Sequence, residues 1–303
     1  MMCLTELQQK ITVLLPELEI RINESLSKHT SFKIGGPAEV MAFPKNADEL
    51  SALLKASAFL DCKCAILGAG TNILAPDGGV SGLVICLKDC FDGIHCLDNN
   101  RIRVFAGVSM ARAAVFAANH GLSGMEFVHG IPGTVGGGVY MNAGAYGGEV
   151  VNICESVDVM LADGTIRTYP ASEMDFSYRH SRLEDEGGIV VSAIFQLSPK
   201  DESEIRSVMQ ELMQKRKKSQ PLDLPSAGSA FKRPVGAYAA ALIDEAGLKG
   251  FRIGDAAVSE KHAGFVVNLG SATSEQVVAL LNEVSERVFV NSNIRIEPEI
   301  RIW

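Results

Sequence analysis

Residues 130–148 read Gly130-Ile131-Pro132-Gly133-Thr134-Val135-Gly136-Gly137-Gly138-Val139-Tyr140-Met141-Asn142-Ala143-Gly144-Ala145-Tyr146-Gly147-Gly148, and 8 of these 19 residues are glycine while none is charged. Glycine loses more backbone freedom on folding than any other residue, so this density needs a compensating use. One use is structural, as tight turns and close packing of helix on strand. The other is a backbone stripped of side chains so that a ligand can approach its amides.

A second, shorter segment favours the ligand. Cys64–Leu67 is apolar and of strand length, and it runs into Gly68-Ala69-Gly70-Thr71-Asn72. A Rossmann dinucleotide fingerprint needs a third glycine where Ile73 stands, and no GxxxxGK[ST] phosphate loop is present. What remains is a turn at a strand end with amides, a hydroxyl and a carboxamide, suited to phosphate oxygens. Together the two segments predict a large dinucleotide whose pyrophosphate lies against backbone N–H groups.

The rest of the chain sets limits on this reading. A net charge of -8 argues against nucleic acid or a membrane surface as partner, since both are anionic. Small anionic ligands remain compatible with local bases. The start Met1-Met2-Cys3-Leu4-Thr5-Glu6 lacks a leader pattern, and no apolar run approaches the roughly 20 residues of a membrane span. The expectation is a soluble, cytoplasmic protein. Its 7 cysteines form no CxxC pair and no metal-ligand spacing with histidine, so they read as reduced thiols and no metal is expected.

Local signals place the elements. An N-terminal helix is expected over 4–15, and a helix from Asn46 to Leu60 is opened by the capping pair Asn46 and Glu49. Arg101–Ala106 alternates as a half-buried strand, and Ser109 caps a helix that Gly121 ends. Asp163-Gly164 joins two strands as a hairpin. Near Lys200 the texture changes. Asp201–Lys218 is amphipathic, with Ile205, Val208, Met209, Leu212 and Met213 at core spacing. A proline-bearing loop from Gln220 to Pro234, a helix around Tyr238–Ala246, a helix capped by Thr273 and Gln276, and a strand Ile294–Ile302 follow. This predicts two domains, 1–199 and 200–303.

At the glycine segments the chain becomes recognisable. Thr30-Ser31-Phe32-Lys33-Ile34-Gly35-Gly36, the Gly68–Asn72 turn and residues 130–149 together resemble the FAD-binding domain of the UDP-N-acetylenolpyruvoylglucosamine reductases. Ser177-Tyr178-Arg179, then Gly228-Ser229-Ala230-Phe231-Lys232, then Pro298-Glu299-Ile300-Arg301 match C-terminal signatures of that family in order, and the resemblance covers about residues 20 to 303. It implies an α+β fold: a two-lobed FAD-binding domain of the vanillyl-alcohol oxidase/p-cresol methylhydroxylase type, plus a C-terminal α+β substrate domain whose last strand, 294–302, returns to the N-terminal lobe. Only Leu183-Glu184-Asp185-Glu186-Gly187-Gly188 separates Arg182 from the next strand, so the chain resembles the shorter subclass, without a tyrosine-bearing insertion.

The activity implied is reduction of UDP-N-acetylglucosamine enolpyruvate to UDP-N-acetylmuramate, with non-covalent FAD and with NADPH as reductant. The implied catalytic residues are Ser229 as proton donor, Arg179 beside the substrate carboxylate and developing enolate, and Glu299 as the group that orients or polarises the donor. A hydroxyl can serve because the carbanion it meets is a strong base, and arginine stays charged and grips carboxylates in a bidentate way. Implied cofactor contacts are Gly68, Ala69, Gly70, Thr71, Asn72, Ile131, Pro132, Gly133, Thr134, Gly136, Gly137, Ala143 and Arg301. Implied substrate contacts are Tyr178, Arg216 and Lys232. Arg233 stands where many members have asparagine, and Lys215, Lys217 and Lys218 read equally well as cations at a helix C-terminus. Of the histidines, only His129, on the loop edge, is singled out as a candidate flavin or substrate contact.

The expected assembly is a monomer. The rival readings are the FAD-binding electron-transfer subunit of a larger oxidoreductase and a non-catalytic flavin or nucleotide-sugar sensor. The serine motif and the Pro-Glu-x-Arg ending speak against the first, and the presence of Ser229, Arg179 and Glu299 together speaks against the second.

Overall fold

The computed structural model describes residues 4–303. Met1, Met2 and Cys3, which carried part of the leader reading and one thiol, lie outside the described residues. Eight α-helices are described: α1 Leu4–Leu14, α2 Ala47–Phe59, α3 Met110–Asn119, α4 Val135–Tyr140, α5 Leu183–Glu186, α6 Glu202–Ser219, α7 Ala239–Glu245 and α8 Ser274–Ser292. Helices and strands are mixed, as an α+β chain requires.

The chain divides into two compact units. The first comprises 1–22, 39–69 and 82–215, and the second 23–38, 70–81 and 216–303. The change of texture near Lys200 coincides with the start of α6, and the division by packing falls later in that helix, after Lys215.

In the first unit a five-stranded antiparallel sheet runs Ile166–Pro170, Cys154–Met160, Ile189–Gln196, Arg101–Phe105, Ile94–Leu97. α4 packs on the Ile189–Gln196 strand, and α3 packs on α4. The Asp163-Gly164 hairpin is present: Thr165 N and Oγ1 both donate to Asp163 Oδ1, at 2.8 and 2.7 Å. In another sheet Cys64–Leu67 lies parallel to Val80–Cys86. Asn46 caps α2 by accepting from Glu49 N at 2.9 Å, and Ser109 caps α3 by accepting from Arg112 N at 3.2 Å. The core gathers Leu50, Leu53, Ile85, Ile102, Val104 and Phe195, all at most 1% exposed. Of the five expected core positions on α6, Ile205 and Met209 are buried and the other three are half-buried.

The second unit is built on an antiparallel sheet ordered Ser226–Ser229, Phe265–Asn268, Ala256–Val258, Arg252–Ile253, with α7 and α8 packed together beside it. Phe32, Ile34 and Leu74 share its core with Ala230, Ile243, Val277 and Leu280. α8 opens with the expected capping box: Gln276 N donates to Thr273 Oγ1 while Gln276 Oε1 accepts from Thr273 N.

The strand expected over Ile294–Ile302 is corrected. Only Arg301–Ile302 is regular, and it pairs in parallel with Ile73–Leu74. Pro298 has no N–H to offer a ladder, and around it the segment makes one isolated bridge, to Phe231.

The described thiols at Cys62, Cys64, Cys86, Cys90, Cys96 and Cys154 are free. Burial pushes Cys86 up to about 11 and Cys154 up to about 12, so neither is a thiolate at neutral pH. Among the described residues no cluster of histidine, cysteine and carboxylates could hold a metal ion, and no helix is long and apolar enough to cross a membrane.

Candidate functional site

In the first unit the two glycine segments meet. The strand Cys64–Leu67 delivers Gly68 so close to the second segment that a Cβ there would come within 2.6 Å of Thr134 Oγ1. Only glycine permits that approach. Thr134 is buried and caps α4, its hydroxyl accepting from Gly137 N at 3.4 Å. Beyond it, Val135 N donates to Val108 O and Gly136 N to Ala106 O, which fastens the glycine-rich run to the sheet.

The amides of Gly68, Ala69, Gly130, Gly133 and Thr134 are left with no protein acceptor among the described residues. Donors of this kind on two neighbouring segments, Gly68 lying against the Thr134 side chain, fit the oxygens of a pyrophosphate, so the residues present suit FAD. His129 adds to the fit. Its Nδ1 is buried with no hydrogen-bond partner among the described residues, and burial lowers its pKa, which keeps the ring neutral. Ile131 and Ala143 are different. Their amides are committed to Val128 O and Gly138 O, so they offer surface and carbonyls rather than donors.

The same segment ends by holding the Tyr178-Arg179 pair. Ser177 and His180 close a four-residue turn with reciprocal backbone bonds of 3.2 Å. Asn142, fully buried, donates through Nδ2 to Ser177 O at 3.0 Å and to Glu149 Oε2 at 3.1 Å, and accepts from Val151 N. Ser181 Oγ donates to Tyr140 O at 2.7 Å. Arg179 sits at φ +57, a left-handed conformation that costs a residue with a Cβ on the order of 1 kcal/mol. Such strain collects at functional positions. Its guanidinium lies 5.1 Å from the centroid of the Tyr178 ring. In the neighbouring acid run, His180 meets Glu184 and Asp185, and Arg182 meets Glu186.

In the second unit Ser229 owes its exposure to a bulge. Ser226 pairs with Val267 and Ser229 with Phe265, so three steps on one strand match two on the other. Strict alternation would put Ser229 on the same face as buried Ala227. The extra residue reverses the phase: Ala230 is buried at 0% exposure and Ser229 is exposed. Gly228 absorbs the reversal at φ +79.

Glu299 lies beside that strand, its amide donating to Ala230 O at 2.8 Å. Glu297 goes elsewhere. Its carboxylate is 3.7 Å from Lys232 Nζ, and its carbonyl accepts from Lys232 N. Gly70 and Asn72 contribute two more amides with no protein acceptor among the described residues, and Arg301 is half-buried with its own amide on Asn72 O. Thr71 is half-buried on the same turn. Of the four bases that end α6, Lys215 is paired with Glu211 at 2.6 Å, Lys217 accepts Lys261 Nζ on its carbonyl, and Arg216 is half-buried.

Within each unit, then, the structure groups the candidates. Gly68, Ala69 and residues 130–137 lie together, and Tyr178 and Arg179 share one turn. Ser229, Glu299, Arg301 and Asn72 adjoin one another in the second unit. Sequence reasoning passed over Asn142, because only the fold shows an asparagine at the end of a glycine run reaching Ser177.

Comparison with known proteins identifies the family. A family model described as an FAD-binding domain matches residues 38–169, and one described as the C-terminal domain of UDP-N-acetylenolpyruvoylglucosamine reductase matches 220–303. A protein of that name from Agathobacter rectalis is 44% identical over 305 residues, covering 97% of each chain. Another from Streptococcus uberis is 45% identical over 285 residues, covering 94% of this chain and 93% of the relative. Among solved structures, the reductase from Thermus caldophilus superposes with a TM-score of 0.79 at 37% identity, covering 95% of this chain and 99% of that one.

Proposed function

The chain belongs to the UDP-N-acetylenolpyruvoylglucosamine reductases, and from that premise we propose how its residues divide the work. It is an FAD-dependent oxidoreductase of peptidoglycan precursor synthesis that reduces UDP-N-acetylenolpyruvoylglucosamine. The reductant is NADPH. Bound FAD would supply hydride chemistry, accepting from NADPH and giving to the methylene carbon of the enolpyruvyl group.

The backbone of Gly68, Ala69, Gly70, Thr71 and Asn72 and that of Ile131 to Thr134 would hold the dinucleotide, with Gly136, Gly137, Ala143 and Arg301 in contact. Ser229 gives its hydroxyl proton to the carbon beside the substrate carboxylate. Arg179 holds that carboxylate and stabilises charge as it develops, which is where electrostatic catalysis contributes most. Glu299 orients the proton donor. Tyr178, Arg216 and Lys232 contact the nucleotide-sugar, which an acidic chain can bind only through local positive charge. Residues 200–303 form the substrate side, and the protein works as a cytoplasmic monomer.

The observation that carries the reading is the bulge at Gly228. It turns one serine out of the alternation of its strand, on a strand edge to which the Glu299 backbone is bonded. The test is an anaerobic stopped-flow experiment on Ser229→Ala followed by flavin absorbance. NADPH should bleach the variant as it does the wild type, and the enolpyruvyl sugar should fail to restore the colour. Loss of both half-reactions would show that Ser229 is not the proton donor.

A further inference from the structure

Glu299 leaves a backbone that is held on both edges. On one edge its amide donates to Ala230 O at 2.8 Å. On the other its carbonyl accepts from Asn72 Nδ2 at 3.2 Å. Two residues on, Arg301 N donates to Asn72 O at 2.9 Å, and the parallel pairing of Arg301 with Ile73 and Ile302 with Leu74 continues the contact. Pro298 fixes the torsion immediately before. The peptide planes on either side of the Glu299 Cα are therefore both anchored, and together they set the direction in which its side chain departs.

Asn72 closes the turn that was read as a phosphate cradle, where its carboxamide counted as a ligand donor. The structure gives one donor of that carboxamide, Nδ2, to the Glu299 carbonyl, while the Asn72 amide has no protein acceptor among the described residues. One residue thus faces two ways, its backbone to the cofactor turn and its side chain to the segment carrying the carboxylate.

We propose that Asn72 is a positioning residue for Glu299, tying the cofactor turn to the proton-delivery half of the reaction. The proposal rests on the reading of Glu299 given above. Aspartate at this position would set a carboxylate against a carbonyl oxygen, alanine would leave the carbonyl bare, and glutamine would keep the donor on a longer arm.

The experiment uses full-length protein loaded with FAD, comparing Asn72→Asp, Asn72→Ala, Asn72→Gln and Glu299→Gln. Flavin content and FAD affinity are measured by fluorescence, and the two half-reactions by anaerobic stopped flow across pH. In Asn72→Asp and Asn72→Ala, read at saturating FAD because the same residue belongs to the cofactor turn, bleaching by NADPH should change far less than reoxidation. Reoxidation by the enolpyruvyl sugar should slow on the order of 10²-fold, the scale of a small misplacement of a reacting group, with a displaced pH profile. Asn72→Gln should recover part of that loss. Loss of FAD, or equal slowing of both half-reactions, would make Asn72 a cofactor ligand and overturn the proposal. If Asn72→Asp and Asn72→Ala do not fold, Asn72→Ser takes their place, its side chain too short to span to the Glu299 carbonyl: selective slowing of reoxidation supports the proposal and unchanged rates overturn it. A slow Glu299→Gln beside a normal Asn72→Ala sinks the Asn72 proposal alone, whereas a normal Glu299→Gln removes the reading on which it rests.

Discussion

Gly228 and Arg179 both hold positive φ angles, at +79 and +57, the first beside the proposed proton donor and the second at the proposed carboxylate-binding arginine. Gly236 provides a control, because it too has a positive φ, +75, and a Cβ on either glycine would meet nothing within 4 Å. Alanine at either position should cost about 1 kcal/mol of backbone strain, read as a lower denaturant midpoint. Only Gly228→Ala should also slow reoxidation, because only there does the strained torsion present Ser229. Equal kinetic effects from the two variants would detach the bulge from catalysis. Arg179→Lys keeps the charge and loses the fork, so kcat should fall while FAD affinity holds. Ser229, Arg179 and Glu299 were singled out in the sequence through their motifs, and their roles are those proposed above. The reversal of phase at Ser229 was not legible, because it depends on Val267 and Phe265, far along the chain.

At the scale of elements, the capping signals were read correctly wherever cap and helix are neighbours: Asn46, Ser109 and Thr273 all accept the expected amides. A second cap on α8 was not legible. Asp77 accepts from Ser274 N at 2.9 Å and Glu275 N at 3.3 Å, across almost 200 positions. Thr273→Ala and Asp77→Ala should each lower stability by about 1 kcal/mol, and the double variant by less than the sum, because both serve the same helix end. Chemical denaturation measures this, and full additivity would mean the two caps act independently. The strand misread over Ile294–Ile302 has a simple cause. Alternating apolar residues there imitate a ladder, but the segment bonds to Ala230 and Lys232 on one edge and Asn72 on the other instead of continuing a sheet.

For the molecule as a whole, binding should feed back on stability. A ligand that binds only the folded chain stabilises it by RT ln(1 + [L]/Kd), about 2.7 kcal/mol at a hundredfold excess over Kd. The melting temperature of FAD-free protein should therefore climb with added FAD. A melting curve that ignores FAD would contradict the pairing of Gly68 with Thr134 as a dinucleotide cradle. Sedimentation should give a single species of monomer mass. The glycine segments and motif order made the FAD-binding and C-terminal regions legible. The division itself was not, since Ser31 Oγ reaches Ser226 O at 2.6 Å and Asn268 Nδ2 reaches Phe32 O at 3.1 Å, contacts that no local periodicity announces.

Because the second unit is assembled from three stretches of chain, it cannot be lifted out as a cassette. A fragment beginning at Arg216 would carry Ser229 and Glu299 but leave behind Phe32, Ile34 and Leu74 from its own interior, and Asp77 from its longest helix. Exchange of this half between relatives must therefore graft residues 23–38 and 70–81 along with the C-terminal part. A recombination point placed at the apparent boundary alone would yield a chimera with mismatched interiors on both sides.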